Sequence, residues 1–502
     1  MLEPVQDPTL VIRRKVNRVS RACDFCHKRG VRCKPMPGVD PAVLSNCLTC
    51  FEHNVSCTYT RPGRKRGSKA RGISPSSSVH TESGGLPIAS YVRPSSDTSY
   101  SSRYQKIHPA TVRALVNIYF DTIYPIFPFF DEGVFMQDYK QQKIPSDSAS
   151  YAALMAMCAL SSAHVADGTV FNQDLVVPAA KAINHQFFID EAQAFLPKNI
   201  TDFNRTEYIQ CLGLLSLTGT HTSNPHLIHY YLGLYNAVVC HFSLFDESRW
   251  DRSFSLAERE IRRRLYWSLY RLEVHSAVIY THMPRISDTY SAVEYPVPSG
   301  LFTRDYTENC SGDNWLTGWN VITDLYRILE HALERFKTSR PPDLSLGIAN
   351  PYALPYEEVS YADEIQNRVP YEYRTPMPKS ANVEQNRKGF QVSNIVCTLR
   401  LLKMVCFVAD GQSLTKACKV AIDLIDDCEV IPIDYFRAIG SPMFQELSGI
   451  GYILSSIAGT SLSIEQYNEI RIVLIKMADF LDKCDIRLIS TSQRAGPQFR
   501  DL

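Results

Sequence analysis

Arg21-Ala-Cys-Asp-Phe-Cys-His-Lys-Arg-Gly-Val-Arg-Cys33 and Cys47-Leu-Thr-Cys-Phe-Glu-His-Asn-Val-Ser-Cys-Thr-Tyr59 carry the same phrase twice. Each contains C-x2-C-x6-C: Cys23, Cys26 and Cys33 in the first copy, Cys47, Cys50 and Cys57 in the second. A C-x2-C pair puts two thiolates on one turn, able to grip a single tetrahedral zinc ion. The third cysteine, six residues on, is what a short helix and a return of the chain would deliver. Soft thiolates favour zinc among the divalent ions available. Two tetrahedral ions need eight ligand positions, and six sulfurs supply them only if two of the sulfurs bridge. One ion would leave two thiols idle and the repetition unexplained. The spacing therefore predicts a binuclear cluster with two zinc ions per chain, bridged by the equivalent first members Cys23 and Cys47.

Charge points to what such a head meets. Six thiolates and two zinc ions sum to a small negative charge, which the surrounding residues overcompensate. From Arg13 to Arg71 there are 15 lysines and arginines against three acids, Asp24, Asp40 and Glu52. The rest of the chain holds 38 basic and 49 acidic residues, so a net charge of +1 conceals a basic head on an acidic body. That asymmetry suits a polyanion. Between Cys26 and Cys33 lies His27-Lys-Arg-Gly-Val-Arg32, four potential cations expected on one short helix. Such a helix suits the DNA major groove, where bidentate contacts to guanine are favoured. His27, Lys28, Arg29 and Arg32, flanked by Arg21 and Lys34, are the candidate DNA-binding residues. A second basic run, with Arg61, Arg64, Lys65, Arg66, Lys69 and Arg71, is read as a nuclear-import and phosphate-contact segment.

The cysteine pattern, the Arg-Ala-Cys-Asp opening and the Cys-Thr-Tyr close resemble the fungal Zn2Cys6 binuclear cluster family of transcription factors. The resemblance assigns Cys23, Cys26, Cys33 and Cys47 to one ion and Cys23, Cys47, Cys50 and Cys57 to the other. It implies an RNA polymerase II type, sequence-specific regulator in the nucleus. Its partners would be double-stranded DNA, at a short G·C-containing and CGG-like promoter element, and the transcription machinery. Its targets would be a metabolic or secondary-metabolite gene set. Two features depart from the family. The Cys33–Cys47 loop is slightly long, with prolines at 35, 37 and 41. The fourth residue after the second cysteine, usually Lys or Arg and the reader of the CGG triplet, is here Gly30, so Lys28, Arg29 or His27 must take that role or the preferred element differs.

Outward from the cluster the organisation reads as a small Zn2Cys6 domain, a disordered linker and a large all-α regulatory domain. Residues 1–18 form a flexible basic tail, 19–60 the zinc domain, 61–106 a basic and then Ser/Pro/Gly-rich linker, and 107–502 the helical body. Of the 29 residues from Ser74 to Ser102, 11 are serine, too polar to order a core. In the body, Val112, Leu115, Val116, Tyr119 and Phe120 repeat at helical spacing until Tyr124-Pro125 stops the run. Further helical patterns cover 151–166, 179–195, 208–217, 226–245, 256–280, 390–408, 414–425, 443–457 and 463–484, with an irregular excursion at about 340–388. Tyr119–Asp131, Glu260–Glu273, Met283–Asp288 and Tyr295–Pro298 resemble segments of the same family's middle homology region, which implies a regulatory body open to a small-molecule or protein effector. A homodimer is also expected from the family, although no heptad run is visible between Thr58 and His108.

Other readings are weaker. The amino terminus lacks a secretory pattern and no stretch is a convincing membrane span, so reduced thiols and no membrane are expected. The nine scattered cysteines read as small buried hydrophobes. His221, His226, His229 and His241 lack the carboxylates or H-E-x-x-H of a second metal site. Arg262–Arg264 reads as a solvated or salt-bridged face, and the aromatic run Phe127–Phe130 as core. No phosphate loop, nucleophile elbow or paired carboxylates argue for an enzyme. A zinc module that binds protein in place of DNA is the other reading that Gly30 leaves open.

Overall fold

The computed structural model describes residues 22–34, 47–53, 55–58, 99–280, 282–297, 315–338, 364, 367–409, 414–445, 447 and 463–483. The tail, the Cys33–Cys47 loop after Lys34, the basic run 61–71 and the Ser-rich segment up to 98 lie outside these residues, as does Arg21. The chain divides into two units, Met1–Tyr91 and Val92–Leu502.

The first unit is built on two five-residue helices, α1 (Asp24–Lys28) and α2 (Leu48–Glu52). In the second unit, every regular element longer than a bridge among the described residues is a helix. Among the described residues its only extended pairing is an isolated bridge between Asp246 and Ala292. It opens before the expected boundary at 107, with α3 (Tyr100–Tyr104), whose tyrosines 100 and 104 both pack on Tyr151. The serine-rich composition hid this turn, because its anchoring rests on two partly buried tyrosines.

Helix α4 (Pro109–Ile118) has proline in its first turn, where no intrahelical N–H is lost, and the His108 side chain as cap. It runs into a π-helical turn at Tyr119–Ile123 and stops, as the sequence predicts, at Tyr124-Pro125. The turn leaves backbone carbonyls inside the core, where an unpaired acceptor costs about 1–3 kcal/mol. Three later helices supply the donors: α10 (Leu256–Ile279), α11 (Leu316–Thr338) and α12 (Val383–Ala409). Arg271 Nη2 donates to the Ile126 carbonyl at 3.0 Å and Trp319 Nε1 to the same oxygen at 2.9 Å; Gln391 Nε2 donates to the Pro125 carbonyl at 2.7 Å. The Arg271 guanidinium also stacks on the Trp319 ring at 4.0 Å. One interrupted helix thus ties together segments up to 266 residues apart.

Between α4 and α10 lie α5 (Glu132–Lys140), α6 (Ser148–Asp167), α7 (His185–Ala194), α8 (Thr206–His221) and α9 (Pro225–Phe242). Helix α6 is buried along residues 149–165, starts in an Asp147/Ser150 capping box and ends at Gly168 with φ +70°. By length and composition it could cross a membrane; here it is the packed centre of the bundle, against α7 and α8. The chain then adds α13 (Leu414–Val430), α14 (Ile433–Ile439) and α15 (Ile464–Lys483).

Several elements differ from the sequence reading. The expected helix at 179–195 is broken: a 3-10 turn at Pro178–Lys181 precedes α7, which starts afresh because the Asn184 side chain accepts the Phe187 N–H at 3.2 Å. Helices α5, α11 and α14 have no counterpart among the expected elements. In α11 the signal is present: Trp319, Ile322, Leu325, Tyr326 and Leu329 fall at helical spacing and are buried. The helix of 390–408 starts earlier, at Val383, inside the expected excursion. The Arg262–Arg264 face is salt-bridged at two of its three positions, one of the two readings the sequence allows, and is not solvated. Arg263 grips Glu247 through two bonds of 2.7 and 2.9 Å; the buried Arg264 pairs with Glu260 at 3.1 Å and donates to the Tyr124 hydroxyl, and the buried Arg262 has its guanidinium over the Phe254 ring. Phe129 and Phe130 are core as expected. Of the scattered cysteines, 158, 211, 397, 418 and 428 are buried and Cys240 is exposed; 310 and 484, and the side chain of 406, fall outside the described residues.

Gly389 in α12 faces the buried ring of Tyr435, which stands between Phe171 and Phe390. A Cβ there would overlap that ring. Overfilling a core costs about 1–3 kcal/mol, against a helix-propensity gain of about 1 kcal/mol for Gly→Ala. Gly389→Ala is expected to lower the thermal midpoint of the body, whereas Gly133→Ala, whose Cβ would make only an ordinary contact with Asp131 at 3.4 Å, is not. Differential scanning fluorimetry of both variants checks this.

Candidate metal centre

The duplicated phrase folds twice into the same local structure. Cys23 and Cys47 are the N-caps of α1 and α2, each sulfur accepting the backbone N–H three residues on, from Cys26 and Cys50, at 3.4 Å. Cys26 and Cys50 therefore sit in the first turn of each helix with their sulfurs beside the capping ones. Each short helix then unwinds by equivalent bonds, Val31 N–H to the Cys26 carbonyl and Val55 N–H to the Cys50 carbonyl, both 3.0 Å. The first return passes through Gly30, at φ +67°. Glycine adopts that left-handed conformation without steric cost, and asparagine is the next most tolerant. The equivalent residue of the second copy is Asn54.

Two ties fasten the copies together. Leu48 N–H donates to the Lys34 carbonyl at 2.9 Å and Asp24 N–H to the Thr58 carbonyl at 2.8 Å. Thr58 Oγ1 adds a bond to Asp24 Oδ2 at 3.0 Å, and Thr49 Oγ1 one to the Arg32 carbonyl at 3.1 Å. These positioning residues carry no metal-ligand signal. Asp24 and Thr58 do belong to the Arg-Ala-Cys-Asp opening and Cys-Thr-Tyr close of the motif.

The sulfurs converge as two groups of four: Cys23, Cys26, Cys33 and Cys47, and Cys23, Cys47, Cys50 and Cys57, with the sulfurs of each group all within 4.8 Å of one another. Cys23 and Cys47 belong to both. Resolved sulfur pairs are 3.8 Å (Cys23 and Cys47), 3.5 Å (Cys23 and Cys50) and 3.6 Å (Cys26 and Cys47). Around a tetrahedral zinc with bonds of about 2.3 Å, neighbouring sulfurs stand about 3.8 Å apart. The donor chemistry and the spacing both fit two zinc ions, held in these two sets. Burial, ahead of the hydrogen bonds among the thiols, pushes Cys23, Cys47 and Cys50 above the ordinary thiol range. Metal uptake must expel those protons, so it is coupled to proton release.

Of the candidate DNA-binding residues, His27, Lys28, Arg29, Arg32 and Lys34 are all exposed. They do not share one helix: α1 ends at Lys28, Arg29 is its C-cap and Arg32 lies beyond the Gly30 turn. The Arg29 guanidinium lies over the Phe25 ring at 5.3 Å, and Phe25 in turn packs on His53 at 5.7 Å. The histidines of the body form no further cluster. His221 stacks on His164 with centroids 3.9 Å apart, while His229 packs against Tyr280 and His282. Among the described residues only the cysteines converge as metal donors.

Comparison with known proteins places this geometry. Residues 21–66 match the fungal Zn(2)-Cys(6) binuclear cluster domain, and residues 116–342 match the fungal specific transcription factor domain. The chain belongs to the fungal Zn(2)-Cys(6) transcription factor family. An uncharacterized transcriptional regulatory protein of Schizosaccharomyces pombe is 28% identical over 286 residues, covering 52% of this chain and 38% of that protein. Two maltose fermentation regulatory proteins of Saccharomyces cerevisiae are also similar. One is 27% identical over 150 residues (30% of this chain, 28% of that protein), the other 25% over 286 residues (52% and 50%). The chain thus spans half or less of the length of these relatives. They are named as regulators, not as enzymes. No solved structure matches the chain.

Zinc analysis of the purified chain is expected to give two ions. Cys23→Ala, which removes a donor from both groups, should lose more metal than Cys57→Ala, which touches one. A stoichiometry of one, or equal losses in the two variants, would contradict the shared-sulfur arrangement.

Proposed function

We propose that this chain is a sequence-specific DNA-binding transcription regulator that acts in the nucleus on a metabolic or secondary-metabolite gene set. The observation that carries the reading is the row of exposed cations on a backbone pinned by Cys26 and Cys33. Lys28 and Arg29 leave the chain where α1 is held by its sulfurs, so their side chains are presented from a rigid base. A cation held there can reach guanine edges in the major groove, and the Phe25 ring under Arg29 restrains its guanidinium without consuming its donors. Gly30 supplies the turn in place of a base contact. A lysine would find no neighbour within 4 Å of its Cβ, but only in a conformation that side chains rarely adopt.

The preferred target is a short G·C-containing element, single or repeated, and Arg61–Arg71 adds phosphate contacts and nuclear import. The named function of the maltose regulators favours a metabolic gene set. The helical body receives a small-molecule or protein effector and communicates with the transcription machinery, alone or as a homodimer.

Selection from random duplexes with the full chain should recover one such element. Arg29→Ala and Lys28→Ala should each cost about 1–3 kcal/mol on it and relax the preference at one base position. Neutralising Arg64, Lys65, Arg66 and Lys69 should weaken all sequences alike, each lost phosphate contact lowering the salt slope by about 0.9. If both alanine variants keep preference and affinity, the base-reading residues lie elsewhere.

A further inference from the structure

A cleft of about 570 Å³ opens in the body between α5, the start of α6, the start of α8 and α10. Its charged walls are almost entirely satisfied from within. Asp131 caps α5 by accepting the Val134 N–H at 3.0 Å, and Asp138 pairs with Lys143 at 3.5 Å. Arg205 holds Glu207 at 2.7 Å and Asp147 at 2.6 Å. Glu258 closes a capping box with Ser255.

Arg262 is the exception. It is only 8% exposed, lines the cleft, and forms no ion pair among the described residues. Its Nε is buried with no acceptor, and Nη1 reaches only the Glu258 carbonyl of its own helix, at 3.5 Å. Its guanidinium lies over the Phe254 ring at 3.7 Å. An aromatic face offsets part of the cost of burying a cation but supplies no hydrogen-bond acceptor. A native protein that buries a charge normally pairs it; Glu258, Glu207 and Asp251 act on Arg262 only at longer range, so a hydrogen-bonded anionic partner would have to come through the cleft. The apolar side chains of the lining include Phe130, Phe135, Ile144 and Ile261.

We infer that this cleft binds a small organic monocarboxylate, its carboxylate on the Arg262 fork and its aliphatic or aromatic body on those apolar residues. A planar guanidinium matches a carboxylate with two parallel bonds. The fork accepts one carboxylate, and the acids of the lining, Asp131, Asp138, Glu207 and Glu258, oppose a second negative charge such as that of a phosphate dianion. The inference rests on the reading of the body as effector-receiving and is independent of how the head reads DNA.

The test uses the full-length, zinc-loaded chain with three probes: sodium benzoate, sodium octanoate and inorganic phosphate. Isothermal calorimetry and thermal shift are read on the wild type, Arg262→Met and Arg262→Lys. At least one carboxylate should bind saturably and raise the melting temperature, with phosphate inert. Loss of charge-assisted bonds should weaken binding about ten- to a hundredfold in Arg262→Met and less in Arg262→Lys. If Arg262→Met does not fold, the weakening in Arg262→Lys decides. The assignment is overturned if neither carboxylate binds, if phosphate binds as well, or if both variants bind with unchanged affinity. Calorimetric binding without any change in reporter transcription would support the site and refute its effector role, so the two readings fail separately.

Discussion

Six sulfurs drawn into two groups of four, each within 4.8 Å, have little reason to stay there as thiols. Burial raises the proton affinity of Cys23, Cys47 and Cys50, and each thiol–thiol contact is weak. Two divalent cations turn this crowding into the strongest interaction of the head, since structural zinc contributes apparent free energies of about 10–16 kcal/mol in small domains. Little else competes. Among the described residues only Ala22, Phe25 and Val55 add apolar packing around the cysteines. A segment of this size rarely folds on its own core. Everything the head presents outward inherits its position from the metal-ligand frame, including the direction in which Lys28 and Arg29 point.

The body rests on a different constraint. Its first long helix breaks at a proline inside the core, and the orphaned carbonyls recruit Arg271, Trp319 and Gln391 from three helices far along the chain. Since α10, α11 and α12 satisfy one turn together, their packing is mutually dependent. Metal-dependent order in the head and packing-dependent order in the body therefore arise from separate interactions, and substitutions in one are not expected to unfold the other.

How much of this was legible in the sequence depends on how discrete each signal is. Ligand number is an integer and thiolate spacing is short, so a binuclear cluster bridged by Cys23 and Cys47 could be written down from the spacing, while the two groups of four sulfurs followed from the resemblance to the family. The Tyr124-Pro125 stop was equally plain, because the proline ring disfavours helical backbone in the residue before it. The role of Gly30 was not: a residue in place of a base-reading lysine looked like an altered contact, whereas its φ of +67° marks a turn. In the Arg262–Arg264 triplet the salt-bridged reading holds for Arg263 and Arg264 and fails for Arg262. Its charge suggests solvent, but its guanidinium lies buried over Phe254, and only the fold reveals which face is turned inward. The break before α7 depended on a single asparagine cap, and α3 on two tyrosines in a serine-rich stretch, signals too local for periodicity to register.

The most direct test of the account is the affinity of the full chain for the duplex recovered by selection as zinc is removed and returned. Affinity should fall in step with bound zinc under chelation and return when two equivalents are restored, while the far-ultraviolet helical signal of the body stays nearly constant. Specific DNA binding that survives complete zinc removal would contradict the claim that the metal frame positions the reading residues.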